Sequence, residues 1–213
     1  MEHLWPLHGI RLTTPDLALT VMAEPDLPLV LSVLPADLEL NPHATTYAGL
    51  GHEANRRAVV MQGYWRALGL WSPSDWMLPF VVRRAGAVIG VQWLEGPDYL
   101  TDHTVDSSSW LVAGVRGRGL GRQMRAAVLD LAFGPLAAEA AISSAVTANA
   151  ASLGVSQSLG YRATHTSVLP HSGEVLQHVR LERDAWRAGR AAGTTTLEGV
   201  DAALPLFGLG EGR

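Results

Sequence analysis

The chain has 213 residues, enough for one generous domain with a sizeable core, and its 47% hydrophobic and 17% charged content lies far from the low-hydrophobicity, high-charge signature of a disordered chain. A net charge of -4 and a pI of about 6.0 exclude general attraction to DNA, RNA or anionic lipid, so tRNA is a disfavoured partner that would need a local basic patch. There is no cysteine, which excludes disulfides, cysteine-ligated metals and a cysteine nucleophile.

The first residues, Met1 to His8, lack the basic stretch and apolar run of a secretory signal. No later stretch approaches the roughly 18 apolar residues of a membrane span, so the expectation is a cytoplasmic protein with no membrane partner. From Asp16 to Met22 the alternation of Leu17, Leu19 and Val21 with Asp16, Ala18, Thr20 and Met22 predicts a strand. Leu27, Val30, Leu31 and Leu34 predict a helix over 24–34 with Pro28 in its first turn. Prolines, Asn41 and His43 make 35–47 an irregular loop, and a second helix is expected over 51–68.

Two β-rich runs, Leu78 to Arg84 and Ala87 to Leu94, flank Ala85-Gly86 and read as a hairpin. A strand over 104–113 leads into a glycine-rich segment. The helix that follows, 120–133, carries Met124, Val128 and Leu131 at helical spacing and stops at Gly134-Pro135. A strand over 140–146, a helix over 149–159 and strands over 163–169 and 174–181 complete a mixed α/β order: an antiparallel meander, a β-α-β-α unit and a terminal hairpin. Residues 1–187 form the domain in this reading. The tail 188–213, with its apolar Leu204-Pro-Leu-Phe207, is an arm lying on the body or on a second subunit, which makes a homodimer reasonable.

The segment Arg116-Gly117-Arg118-Gly119-Leu120-Gly121 lies between a strand and a helix. Such a junction points unpaired backbone N–H groups outward at the positive end of the helix dipole, and glycines let a phosphate approach closely. Arg118 and Arg122 stand ready to add charge-assisted contacts. The glycine spacing misses the dinucleotide fingerprint, and the absence of lysine excludes a Walker A loop.

Arg116-x-x-Gly119-x-Gly121 resembles the pyrophosphate signature of the GNAT superfamily of N-acetyltransferases. Downstream, Asn149-Ala-Ala-Ser152-Leu-Gly-Val155-Ser-Gln-Ser-Leu159-Gly160-Tyr161 is similar to that family's second element. Arg11-Leu-Thr-Thr-Pro-Asp-Leu-Ala-Leu and Ser109-Trp110-Leu111-Val112 resemble segments of the branch that contains the ribosomal-protein alanine acetyltransferases. The likeness spans residues 10 to 185. It implies a mostly antiparallel twisted sheet of about six or seven strands flanked by about four helices, with a splayed central strand pair.

It also implies transfer of an acetyl group from acetyl-CoA to a primary amine on a protein N-terminus, an amino acid or a small metabolite. Without cysteine, direct transfer in a ternary complex is favoured, and no metal is implied: the eight histidines show no ligand spacing. Other readings keep the fold with a longer acyl-CoA or aminoacyl-tRNA as donor, or make the chain a non-catalytic CoA-binding module. Under the resemblance, Leu111 or Val112 supplies the backbone donor for the thioester oxygen.

Asp106 stands where related proteins carry a glutamate base, with Ser108 beside it on the same face of the strand; His103 and Glu95 are reserves. Ser156 stands where many members carry an acidic tyrosine, so Ser152 or Ser156 would support the thiolate. Asn149 either binds the pantetheine arm or caps its helix. Acceptor recognition falls to 35–76, where Tyr64, Trp65, Trp71 and Trp76 either wall a pocket or belong to the core. Glu53, Asp75, His43 and His52 are candidates for recognising a cation.

Overall fold

Period-two alternation in the apolar segments lays down strands that the intervening helices cover on both faces. The computed structural model describes residues 4–38, 44–170, 172–189 and 194–210. Strands β1 (Arg11–Thr13) and β2 (Ala18–Val21) are followed by α1 (Leu27–Ser32) and α2 (His52–Gly69). Next come β3 (Trp76–Arg84), β4 (Ala87–Gly96), the short α3 (Tyr99–Asp102), β5 (Thr104–Leu111) and α4 (Leu120–Phe133). Then come β6 (Ala140–Val146), α5 (Ala150–Ser158), β7 (Arg162–Val168), β8 (Val175–Glu182), α6 (Arg183–Gly189) and β9 (Thr196–Glu198).

All nine strands form one sheet in the order β7-β8-β6-β5-β4-β3-β2-β1-β9. The expected six or seven strands become nine because β1 and β9, each of three residues, are too short to show a period. Helix α6 spans position 188, and β9 pairs with β1 while Phe207 is fully buried, so the described part of the tail packs on the body. The strand expected over 16–22 begins at Ala18 because Thr14 to Leu17 form a turn closed by Thr14 N donating to Leu17 O. The helix expected over 24–34 is a 3-10 turn, Glu24–Asp26, followed by α1, with Asp26 accepting from Ala23 N at 2.9 Å.

The two faces of the sheet are covered differently. One carries the main core, in which Leu19, Phe80, Val82, Leu94, Val105 and Leu111 meet Leu120, Met124, Val128 and Leu131 of α4. On the other, Met22, Val81 and Val91 pack with Val30 of α1 and Tyr64 of α2, while Trp93 and Trp110 lie against that cluster. Burial of this kind contributes about 25 cal/mol per Å² and outweighs local propensity in deciding the fold.

Strands β5 and β6 are the parallel neighbours of the sheet. They pair only at Thr104–Ala140, Val105–Ala141 and Asp106–Ile142. Beyond that point β5 continues along β4 up to Leu111, whereas β6 continues along β8 up to Val146. The sheet therefore opens in a V whose vertex lies at Asp106. Among the described residues no helix is long and apolar enough to cross a membrane.

Candidate active site

One arm of the V ends at the glycine-rich turn. Gly117 (φ 73°) and Gly119 (φ 77°) occupy the left-handed region that side chains disfavour, and Gly119 caps α4 without a side-chain partner. No described group accepts from the backbone N–H of residues 117–122; the helical ladder starts with Gln123 N donating to Gly119 O at 3.1 Å. Unpaired backbone donors at a helix N-terminus can take up an anion.

Gly121 shows the turn from the other side. A methyl group there would meet Val155 Cγ2 only at 3.6 Å, so nothing in the chain demands glycine inside a helix, where it costs about 0.5–1 kcal/mol. Space kept open next to unpaired donors fits a group that approaches the backbone. Leu120 is buried and anchors the turn, while Arg118 and Arg122 are exposed and in no ion pair among the described residues.

Arg116 is placed differently from expectation. Its guanidinium donates to both carboxylate oxygens of Asp37, at 2.5 and 2.9 Å, and its Nε donates to Leu111 O at 2.8 Å. The pairing holds the Asp37 carboxyl below its usual range. The arginine braces the end of β5 to the segment after α1, where the buried Arg56 donates to Pro35 O and Leu38 O. In this arrangement Arg118 and Arg122 are the exposed guanidinium groups beside the turn that stand outside the described ion pairs, whereas Arg116 is tied to Asp37.

The ladder of β5 on β4 assigns the donors that line the V. Val112 N donates to Ile89 O at 2.9 Å, so the regular register turns the N–H groups of Trp110, Ser108 and Asp106 toward β4. Ser109 and Leu111 then present theirs to the opening. This corrects the pairing of Leu111 or Val112 as the oxyanion donor: the Val112 donor is committed and that of Leu111 is not.

At the vertex, Asp106 Oδ1 accepts from Ser107 N at 2.6 Å. Glu95 is its direct partner across β4–β5, and Ser108 Oγ donates to Glu95 Oε1 at 3.3 Å. These three residues share the α1/α2 face. Burial, then the Asp106 charge, raises the Glu95 carboxyl to about 7, with a smaller push from Asp75 and relief from Ser108. Burial raises Asp106 as well, opposed by the Ser107 N–H, Arg125 and His178. Glu95, a reserve in the sequence reading, is thus the group whose titration sits near neutrality. Its signal was there to find: strand pairing places a residue of the β3–β4 hairpin opposite Asp106.

Asn149 Oδ1 accepts from Ser152 N at 3.0 Å, so this residue caps α5. Ser156 is buried: its hydroxyl accepts from Arg125 at 2.7 Å and donates to Ser152 O at 3.2 Å. Of the two serines expected to support a thiolate, Ser156 thus has its hydroxyl engaged by Arg125 and Ser152 O, whereas Ser152 is only partly buried. Burial pushes the Tyr161 phenol up to about 12. Ser107 lies close enough to ease that push, yet neither hydroxyl reaches hydrogen-bond geometry with a described group.

Two of the aromatic candidates are not pocket walls. Trp76 is 1% exposed, stacks on Trp71 at 5.9 Å and meets Phe207 edge-on at 5.0 Å. Trp71 Nε1 donates to Leu206 O at 2.9 Å. Gly96, opposite Trp76 in the register, leaves room for the indole: a methyl group there would lie 2.4 Å from it. Of the four aromatic candidates Trp65 alone is exposed, on α2, and Tyr64 is buried in the core under α1.

His103 packs edge-on against Tyr99, and its carbonyl accepts from Glu139 N. Glu53 pairs with Arg56 at 3.7 Å, His52 and Asp75 are exposed, and His43 lies outside the described residues. No group of three or more metal-ligating side chains occurs among the described residues.

Residues 18–162 match a family model described as an acetyltransferase (GNAT) domain. Among solved structures, Mycobacterium smegmatis RimJ in complex with CoA-disulfide is similar with a TM-score of 0.66 and 16% identity, covering 89% of this chain and 97% of that one. A ribosomal-protein-S5-alanine acetyltransferase from Vibrio fischeri gives 0.61 and 14%, covering 83% and 98%. A spermidine N-acetyltransferase SpeG from Vibrio cholerae gives 0.62 and 13%, covering 81% and 96%.

Proposed function

Because this chain belongs to the GNAT acetyltransferase family, we propose that it moves an acetyl group from acetyl-CoA to a primary amine by direct transfer in a ternary complex. The observation that carries this reading is the V between β5 and β6. It joins a backbone anion cradle at one end to a pair of carboxylates at the other.

The cradle at 117–122 holds the pyrophosphate, and Asn149, whose Oδ1 is committed to its helix, offers its side-chain N–H groups to the pantetheine arm. The acceptor enters from the α1/α2 face, where Glu95, Asp106 and Ser108 stand together. Glu95 takes a proton from the ammonium form of the amine, which requires a base titrating near the working pH. The nitrogen lone pair then attacks the thioester carbon. The charge that develops on its oxygen is met by the Leu111 N–H, with Ser109 beside it.

Collapse breaks the C–S bond, and the sulfur leaves as thiolate to take the proton shed by the new amide nitrogen. Ser152 lies near the leaving group at the start of α5. Asp106 remains the fixed anion of the pair and helps to hold a cationic acceptor. The RimJ structure with CoA-disulfide supports a CoA-type donor. The spermidine and ribosomal-protein neighbours support an amine acceptor, with small molecule and peptide both open.

Calorimetric titration with acetyl-CoA, followed by thiol release across a panel of amines, tests the reading. Micromolar binding and amine-dependent release are expected. No binding at high micromolar acetyl-CoA would remove its premise.

A further inference from the structure

Helices α1 and α2 pack over β3 and β4, and the same face of the sheet continues beyond the V across β6, β8 and β7. The register fixes which side chains stand there: Asp106 aligns with Ile142, Ile142 with Arg180, and Ser144 with His178. Ala141, Val179 and Leu181, one residue out of step, turn into the main core on the other face. A bulge interrupts β7 between Ala163 and Thr166, so Thr164 and His165 both oppose His178. His165 is thereby brought to the face of His178, and the two imidazoles stack at 4.2 Å with planes 5° apart.

Hydroxyl groups hold one nitrogen of each ring. Thr164 Oγ1 donates to His178 O at 3.2 Å and so accepts from His165 Nδ1, also at 3.2 Å. Ser167 Oγ meets His178 Nε2 at 2.7 Å. The other nitrogens, His165 Nε2 and His178 Nδ1, make no hydrogen bond among the described residues, and His165 is exposed. A hydroxyl accepts as readily as it donates, so a ring held in this way can carry a proton on both nitrogens when an anion meets its free edge. Arg180 and Glu182, on the same face of β8, pair with each other at 2.6 Å.

Resting on the transferase reading, the geometry points to His165 and His178 as a subsite for an anionic group of the acceptor, whose amine lies at Glu95 and Asp106. Carboxylates at one end of this face and imidazoles at the other complement a zwitterion, an amine that also carries a carboxylate or a phosphate. Two strand spacings, from β5 to β8, and two residues along β8 separate Asp106 from His178, which sets amine and anion on the order of 10 Å apart. A polyamine would instead bring a second ammonium against the two rings, with Glu182 already held by Arg180.

The test measures acetyl transfer to ω-amino acids and ω-aminoalkyl phosphates of graded chain length and to neutral ω-amino amides of matched length. Wild type, His178→Gln and His165→Gln are compared, with spermidine as a further acceptor. In wild type at least one acidic series should exceed the amides in kcat/KM by about tenfold or more, chiefly through KM, and the better series identifies the anion. The ratio should fall toward one in both variants; being a ratio between acceptors, it is insensitive to a general loss of stability or kcat. Equal rates for acids and amides, a preference for spermidine over both, or a preference for acids that survives in both variants would overturn the inference.

Imidazole ¹H–¹⁵N spectra recorded with CoA present need no turnover. The acidic amines should shift both ring signals, and the amides should not. Those shifts in a wild type that transfers no acetyl group would contradict the transferase reading and leave the subsite supported, whereas absence of both would overturn the subsite as well.

Discussion

Glu95 and Asp106 are direct partners across the β4–β5 ladder, and both face the side of the sheet covered by α1 and α2. Two carboxylates so placed cannot ionise independently. Glu95, raised to about 7, titrates where an amine acetyltransferase needs a base. We expect kcat/KM to rise through an acid limb near that value. Glu95→Gln should remove the limb and lower kcat by about 10²-fold or more. Retention of the limb in Glu95→Gln would assign it to another group.

The same shift has a consequence for stability with the opposite sign to activity. The folded state holds Glu95 above its ordinary value of 4.5, so its favourable contribution is complete below that value and is lost as pH rises toward 7. At pH 8 the wild type carries the cost of a desolvated carboxylate, and Glu95→Gln should be more stable by about 2 kcal/mol. At pH 4.5 the two should unfold together. Thermal melts at the two pH values check this, and a variant less stable at both would contradict it.

Gly121 separates cofactor affinity from folding. Its neighbours stand at ordinary contact distance from an added methyl group. Gly121→Ala should therefore leave stability unchanged or raise it by about 0.5–1 kcal/mol, while KM for acetyl-CoA rises by about tenfold or more. Gly119→Ala should instead destabilise by about 1 kcal/mol, since φ is 77° there. Urea melts and steady-state kinetics on both variants distinguish a ligand's need for space from the backbone's.

Trp76 supports the fold and does not recognise the acceptor. It is enclosed by Trp71, Tyr99 and Phe207. Trp76→Ala should cost about 3–5 kcal/mol. Trp76→Phe should fold and leave the acceptor KM within about twofold, because the mutation acts on packing. A large change in acceptor KM for the phenylalanine variant would return Trp76 to the pocket.

The sheet and the glycine turn before α4 were legible because long amphipathic strands and glycines at a strand–helix junction leave periodic, local signals. The observed bounds of α4 and β6 match those expected. The short strands β1 and β9 left none, since three residues show no period and the pairing of β9 with β1 is decided by the distant return of the tail.

Spacing alone left Trp71 and Trp76 open to wall, core or subunit contact, and the pairing of Gly96 and Phe207 with Trp76 is a tertiary feature that no local pattern carries. Glu95 was named but not preferred, because cross-strand register, which sets its partner, follows from the hairpin as a whole. Arg125, the partner of Ser156, was missed: it falls one residue after Met124 and three before Val128, and that position within the apolar stripe of α4 was the available sign.

The most direct test of the central claim incubates the protein with acetyl-CoA and a panel of primary amines, and measures both products by mass spectrometry. The account predicts acetylated amine and free CoA in equal amounts, with formation of both suppressed in Glu95→Gln. CoA released without acetylated amine, or neither product with any amine of the panel, would contradict it.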